Sequence, residues 1–431
     1  MEKKESRAVL HERAWPTPKD KYENLLLALL EQYTGAEEVW SYPVSLVLDP
    51  SSVCQLKCPF CINYLSPPIR ERTLMSMELF QRIIDEIGRY LFKVSLFNWG
   101  EPFLNKYIVD MVRLLKGYGV DVAVSSHLSM PISDDTIDAL IENGLDILTA
   151  SIDGMTQESY SKYRVKGDIK LALSNMERFA KAKKKLGASK PHIDWQFLVF
   201  SFNEKELTEA KEFANRIGVD LRPAPPYVNV ETHSHWLSSV DKYVMEIYKK
   251  KTQGIDSQSV DRLQQGIHGR IETLASQFYK GCDWHYLISA INANGSVSPC
   301  CGIMAEAEDF GSLADKMFYE VWNNDMYKTA RRYLRTQCRT REYLESRNVC
   351  LNCTRTEIMG YGQDIVRLAL LNAPSEIKEG AKRLMPRHPL VKEVVNTPVH
   401  LAYKVSQSVS STFLQGFFKK VGKRILKRLC L

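Results

Sequence analysis

The chain has 431 residues, an apolar fraction of 44% and a formal net charge of +7. At roughly 150 residues per domain that length allows two or three domains, whose cores need no disulfides, so the ten cysteines call for another use. Six basic residues (Lys419, Lys420, Lys423, Arg424, Lys427, Arg428) and no acidic ones fall within 416–431. The charge therefore describes a tail on a nearly neutral body and gives no support to nucleic-acid binding. The opening MEKKESRAVLHERAW lacks the apolar run of a secretory signal. No stretch reaches the roughly 18 apolar residues of a spanning helix, so the expectation is a cytoplasmic protein.

Residues 1–43 read as a polar N-terminal extension with one helical stretch over 22–33. From Val44 a strand–helix alternation begins and runs through 44–237. The short apolar run 44–48 marks a buried strand. Ser76 caps a helix whose Leu79, Phe80, Ile83, Ile84 and Ile87 recur at helical spacing. Strands then fall at 93–97, 120–125, 146–152, 193–200 and 219–222, and helices at 107–115, around 137–141, at 171–185 and at 204–217. Each helix ends near a glycine: Gly88, Gly117, Gly144, Gly187 and Gly218. Six β-α units predict a parallel sheet covered by helices. Six is two short of a closed eight-fold barrel, so the fold class is α/β, a partial (β/α)6 barrel with its site at the C-terminal strand ends. Residues 238–280 read as a helical linker, 281–358 as a small cysteine-bearing domain, and 359–431 as a helical region ending in the basic tail.

Cys54, Cys58 and Cys61 sit on one loop just after the first strand, as Cys-Gln-Leu-Lys-Cys-Pro-Phe-Cys. Clustered cysteines in such a chain favour metal over disulfide. Three thiolates can hold three corners of a cubane iron–sulfur cluster. A structural zinc wants four ligands, and no fourth follows nearby. The C-x3-C-x2-C spacing, with an aromatic residue before the last cysteine, resembles the signature of the radical S-adenosylmethionine (SAM) superfamily. That resemblance implies a [4Fe–4S] cluster with one open iron, which chelates SAM and cleaves it to a 5′-deoxyadenosyl radical. It also places further residues around SAM. Gly100-Glu101-Pro102 follows the second strand, where relatives bind the methionine amino group. Ser126 ends the third strand, a loose match to a Thr-Asn-Gly. Ser151 and Asp153 belong to an S-x-D-G at the end of the fourth. Arg164, in a Tyr-Arg pair, would reach the methionine carboxylate or remain a solvated helix-end charge. Asn203 and Glu204 read equally as a helix cap or as ligand contacts.

A second set of cysteines follows. Cys282 precedes a strand, an Asn294-Gly295 hairpin turn and a return strand into Pro299-Cys300; Phe310-Gly311-Ser312-Leu313, Trp322-Asn323 and Cys350-Leu-Asn-Cys353 come later. This order resembles the SPASM domain or its shortened twitch form. The resemblance implies one auxiliary [4Fe–4S] cluster, the second of two, on Cys282, Cys300, Cys350 and Cys353, with a four-cysteine zinc site as the alternative. Four thiolates would close every corner and suit electron transfer. Cys338 reads as a buried or free thiol and not as a ligand.

In the tail, Leu414, Phe418, Val421, Ile425 and Leu429 share a helical face with the cations mostly off it, an interfacial pattern. Peripheral membrane contact through 413–431, or packing on the protein or a partner, follows. The leading expectation is a radical SAM oxidoreductase acting on a small molecule, a carbohydrate or alcohol, and reduced by a flavodoxin or ferredoxin. The alternatives are a maturase of a ribosomally made peptide and a non-catalytic iron–sulfur or zinc protein docked to membrane.

Overall fold

A computed structural model of the chain describes residues 20–64, 67–226, 233–239, 282–336, 348–352, 365–366 and 369–384. Cys338, Cys353, nearly all of 238–280 and the whole of 413–431 lie outside them.

Helix α1 (Lys21–Thr34) begins at Asp20, whose Oδ1 accepts from the Tyr22 and Glu23 backbone N–H groups at 2.8 and 3.0 Å. Its Leu25 to Leu30 run is buried on every side, so this helix is a core element and not a polar extension. Strand β1 (Ser45–Leu48), buried at all four positions, leads to α2 (Met77–Ile87). Ser76 Oγ accepts from Leu79 N at 3.1 Å, and Phe80, Ile83, Ile84 and Ile87 form the buried stripe. The alternation continues through β2 (Lys93–Ser95), α3 (Ile108–Gly117), β3 (Asp121–Ser126), α4 (Asp134–Glu142) and β4 (Ile147–Ser151). Next come α5 (Gln157–Tyr163), which the sequence did not signal, α6 (Ile169–Lys185), β5 (His192–Leu198), α7 (Leu207–Ile217) and β6 (Asp220–Ala224). Helix α7 starts three residues late because 204–206 wind as a 3-10 turn, and it stops at Gly218, whose φ of 73° is left-handed.

Strands β1 to β6 are parallel and in sequence order. The sheet is open, as expected of a partial barrel. On the other side of β1 it continues through β7 (Ile288–Ile291), which pairs parallel with β1, and then β8 (Ser296–Ser298) and β9 (Gly311–Ser312), both antiparallel. The cysteine-bearing hairpin therefore extends the barrel sheet. It turns at Gly295, φ 84°, as the Asn-Gly pair predicts. Helices α8 (Phe318–Trp322), α9 (Asp325–Thr336) and α10 (Ser375–Leu384) complete the described fold. Trp322 Nε1 donates to the Ser41 carbonyl at 3.1 Å and Asn323 Nδ2 to the Val39 carbonyl at 3.0 Å, so the Trp-Asn pair grips the segment behind α1. Among the described residues no helix is long and apolar enough to cross a membrane.

Candidate active site

The six parallel strands present one set of ends, and the first cysteine loop crosses them. Cys61 N donates to the Cys58 carbonyl at 3.0 Å, closing a tight turn inside the C-x2-C. Burial pushes the Cys54 thiol up to about 12, with the charges of Glu101, Cys58 and Cys61 adding to the effect. Cys58 is also raised, by burial first, while the Arg164 guanidinium 3.9 Å from its sulfur pulls it back. Three naked thiolates would be costly on this loop, and a cationic centre between them removes the cost.

Gly100 stands against this loop. A Cβ there would lie 1.8 Å from the Ser51 carbonyl oxygen and 2.7 Å from that of Val53, and Glu101 N donates to the Val53 carbonyl at 2.8 Å. The backbone at this glycine thus closely approaches the root of the cysteine loop. Pro102 opens a single 3-10 turn, Pro102–Leu104, capped by Glu101, whose Oε1 accepts from Phe103 N at 3.1 Å. The same buried carboxylate accepts from Ser126 Oγ at 2.8 Å and from His127 N at 3.2 Å. Glu101 and Ser126 are therefore joined across β2 and β3, as neighbours around one site.

His127, 5% exposed, was given no role by the sequence. Ser129 N donates to its Nδ1 at 2.9 Å, so the neutral ring carries its proton on Nε2, 3.0 Å from Glu101 Oε2 in a direction that makes no good hydrogen bond. Burial holds its pKa below the ordinary value despite that carboxylate.

Asp153, fully buried beyond β4, accepts from Leu198 N at 2.7 Å through Oδ1 and from Arg164 Nε at 2.6 Å through Oδ2. Burial alone would lower the Arg164 pKa, but Asp153 and Cys58 hold it well above its ordinary value. The Arg164 side chain is only 14% exposed, so it is an internal cation and not a solvated helix end. Asn203 is a staple: its Nδ2 donates to the Asp153 and Leu198 carbonyls at 3.1 and 2.9 Å, and its Oδ1 accepts from Phe200 N at 2.7 Å. Glu204 Oε2 accepts from Ser239 N at 2.7 Å.

On the sheet face away from the helices, Ser125, Thr149, Ser151, Asp194 and Gln196 are half-buried, beside the half-exposed Arg222. Ser125 and Ser151 oxygens lie 3.3 Å apart. Arg222 bridges to Asp194, at 3.0 and 2.6 Å to Oδ2, and to Gln196 at 3.0 Å. Strict alternation in β5 (Ile193, Trp195 and Phe197 toward the helices, Asp194 and Gln196 away) carried this signal in the sequence. Beside the cysteine loop, Phe60 meets Tyr163, His233 and Trp236, with ring centroids 6.3, 4.9 and 5.6 Å away.

In the second cysteine set, Cys282 caps the turn Asp283–His285 ahead of β7. Cys300 and Cys301 sit in the turn after β8 and not on a strand; Cys300 is 8% exposed and Cys301 more open. Cys350 follows Asn348, whose Oδ1 accepts its N–H at 3.1 Å and whose Nδ2 donates to the Met326 carbonyl at 2.7 Å. That ties the cysteine to α9. The Tyr327 hydroxyl, its pKa raised by burial first, lies 3.5 Å from the carbonyl of Ser298, two residues before Cys300. Cys353 lies outside the described residues.

Residues 48–193 match the radical SAM superfamily, and residues 282–354 match SPASM, an iron–sulfur cluster-binding domain. The chain belongs to the radical SAM superfamily. It is 22% identical over 309 residues to the tungsten-containing aldehyde ferredoxin oxidoreductase cofactor-modifying protein of Pyrococcus furiosus, 65% of this chain and 81% of that one. It is 26% identical over 129 residues to a PqqA peptide cyclase of Rhodopseudomonas palustris, 29% and 33% of the two chains. Streptococcus suis SuiB, solved with S-adenosylmethionine, shares the fold at a TM-score of 0.51 and 17% identity, over 82% of this chain and 80% of that one.

A radical SAM enzyme with a SPASM domain uses [4Fe–4S] clusters and SAM. The first loop fits the group: three thiols, raised in pKa by burial at Cys54 and Cys58, share one turn beside an internal arginine. Among the described residues no three side chains converge tightly enough to hold a single metal ion; the corners of a cubane cluster are spaced more widely.

Proposed function

We propose that this radical SAM enzyme holds its SAM-cleaving [4Fe–4S] cluster on Cys54, Cys58 and Cys61 and uses the radical to modify a peptide. The observation that carries the first half is the meeting of the three thiols, the Gly100 approach and the Asp153–Arg164 pair at one set of strand ends. Cys54, Cys58 and Cys61 would hold a cluster with one iron open, which would supply a chelation site for SAM and the electron for cleaving its sulfonium. The chain's own residues bind and orient. Arg164 offers a fixed cation for the methionine carboxylate. Glu101, fixed by Ser126 and His127, offers an acceptor for the amino group. Asp153 keeps Arg164 charged, and Pro102 sets the turn that aims Glu101. Ser151, Thr149, Gln196 and Arg222 line the sheet face where the substrate would lie. Cys282, Cys300, Cys350 and Cys353 would close all four corners of a second cluster, which suits electron transfer.

The match to a peptide cyclase supports the peptide reading, whereas the carbohydrate or alcohol expected from the sequence has no comparable support. Modification of another enzyme's cofactor is the second reading, favoured by the Pyrococcus relative matched over most of its length.

Purified without oxygen and given dithionite and SAM, the wild-type protein is expected to release 5′-deoxyadenosine, and the Cys54→Ala, Cys58→Ala, Cys61→Ala variant none. Iron-loaded protein that neither binds nor cleaves SAM would defeat the reading. Adding the peptide fraction or the small-metabolite fraction of a host extract then separates the substrate classes. Stimulation by the metabolite fraction alone would reject a peptide.

A further inference from the structure

Arg331, on α9, is fully buried and, among the described residues, has no anionic hydrogen-bond partner. Its Nε donates to the His285 carbonyl at 2.8 Å, and its Nη1 to the Glu37 carbonyl at 3.1 Å and Asn323 Oδ1 at 3.4 Å. Three rings close around the guanidinium, with centroids 4.8 Å (Trp322), 5.4 Å (Tyr327) and 5.6 Å (Tyr286) away. Its Nη2 is buried with no hydrogen-bond partner among those residues. The adjacent Arg332, by contrast, pairs with Glu37 at 2.8 Å. The buried carboxylate that bears on Arg331, Glu31, is committed to Ser41 and to the Trp40 N–H, and burial raises its pKa to about 7. A buried cation with neutral partners is costly unless a counter-charge sits nearby.

Among the described residues, segments that carry Cys282, Cys300 and Cys350 pack against its neighbours. His285, whose carbonyl Arg331 holds, ends the turn that Cys282 begins. Tyr327, its ring 5.4 Å from the guanidinium, brings its hydroxyl within 3.5 Å of the carbonyl of Ser298, two residues before Cys300, and the preceding Met326 carbonyl binds Asn348, which in turn accepts from Cys350 N. His285 cannot share the cationic role: burial and Arg331 drive its pKa down to about 3.

We propose that Arg331 is the internal counter-cation of the auxiliary iron–sulfur site and holds that cluster's reduction potential up. The inference rests on the reading of Cys282, Cys300, Cys350 and Cys353 as the auxiliary ligands. A thiolate-bound [4Fe–4S] centre is anionic and becomes more so on reduction; a fixed positive charge in a dry site favours the reduced form, and net charge is a main determinant of such potentials. The rings act as the insulating wall: they exclude water and leave the charge unscreened. Arg331 is thus a positioning residue for charge and touches no substrate.

The test uses the full-length chain with Cys54, Cys58 and Cys61 replaced by Ala, so that the auxiliary centre is seen alone. Iron and acid-labile sulfide are counted first; a protein without either loses the auxiliary-site reading itself. Dithionite titration followed by electron paramagnetic resonance then compares Arg331→Lys with Arg331→Gln, two side chains that donate hydrogen bonds and differ in charge. Lys is expected to stay near the parent midpoint. Gln is expected to lower the reduced-to-oxidised ratio at that midpoint by about tenfold, the effect of a unit charge roughly 10 Å away at an effective dielectric of about 20. Equal midpoints for Lys and Gln overturn the proposal. If neither variant folds, Glu31→Gln at a pH above about 7 decides: removing that anion must shift the midpoint upward, and no shift overturns the proposal.

Discussion

Single atoms decide much of this site. Gly100 is a motif glycine with an identifiable steric role, since its missing Cβ leaves room for the Ser51 carbonyl, 1.8 Å from where that atom would be. Neither partner is a flexible side chain that can turn aside, so a methyl group must displace the backbone that carries Cys54. Gly100→Ala is expected to destabilise the fold by about 3 kcal/mol or more, at the upper end of overpacking costs, and to weaken SAM binding with it. Thermal denaturation and equilibrium binding of SAM measure the two; a variant with wild-type melting and binding would mean that the loop yields freely. Next to it, Glu101 shows why residue type alone underdetermines role. One carboxylate caps a turn, accepts from Ser126 and faces the His127 ring.

Between elements, a buried ion pair links the segment after the first cysteine loop to the SPASM domain. Arg70 forks onto Asp309 at 2.7 and 3.1 Å, with the side chains 3% and 5% exposed, and also reaches Ser296 Oγ and the Ile303 carbonyl, both at 3.3 Å. Asp309 in turn accepts from Ser298 Oγ. Arg70→Met leaves that carboxylate buried without its cation and is expected to cost about 3–5 kcal/mol in urea denaturation. The double variant Arg70→Met, Asp309→Leu should recover most of the loss, because two apolar groups can replace a buried pair with little net change. A double variant no more stable than the single would show that the link works through the Ser296 and Ile303 contacts instead. Arg70 and Asp309 are 239 positions apart, and no local pattern announces such a pair.

Over the whole molecule, the segment that follows α1 is held by Trp322 and Asn323, beyond the SPASM hairpin. Glu31 is the buried acid of that joint: Ser41 and the Trp40 N–H bind it, yet burial wins and raises its pKa from 4.5 to about 7. A raised carboxyl pKa means that the folded state holds the proton more tightly than the unfolded state. Its contribution is therefore fully present below about 4.5 and is lost as pH rises to about 7. Across that window wild type should lose about 3 kcal/mol relative to Glu31→Gln, which has no proton to release. Denaturation at both ends of the window measures it, and parallel profiles for the two proteins would remove Glu31 from the account. The buried Asp49 at the end of β1, also raised to about 7, adds to the wild-type slope but cancels in the comparison.

The sequence by itself determined the parallel β-α order, the two cysteine sets and the hairpin turn. Each of these is written in local spacing: period-2 and period-3.6 patterns, cysteine intervals and an Asn-Gly pair. What only the tertiary structure decided are the contacts between distant segments. The pairing of β7 with β1 merged two units into one sheet, since backbone pairing follows from which edges meet and carries no residue code. The apolar run in α1 became core because α10 and the 88–90 turn pack against that helix. Arg164 and Arg331, two ordinary arginines in the chain, became internal cations because burial and partners set the electrostatics of a side chain, and both are properties of the assembled fold.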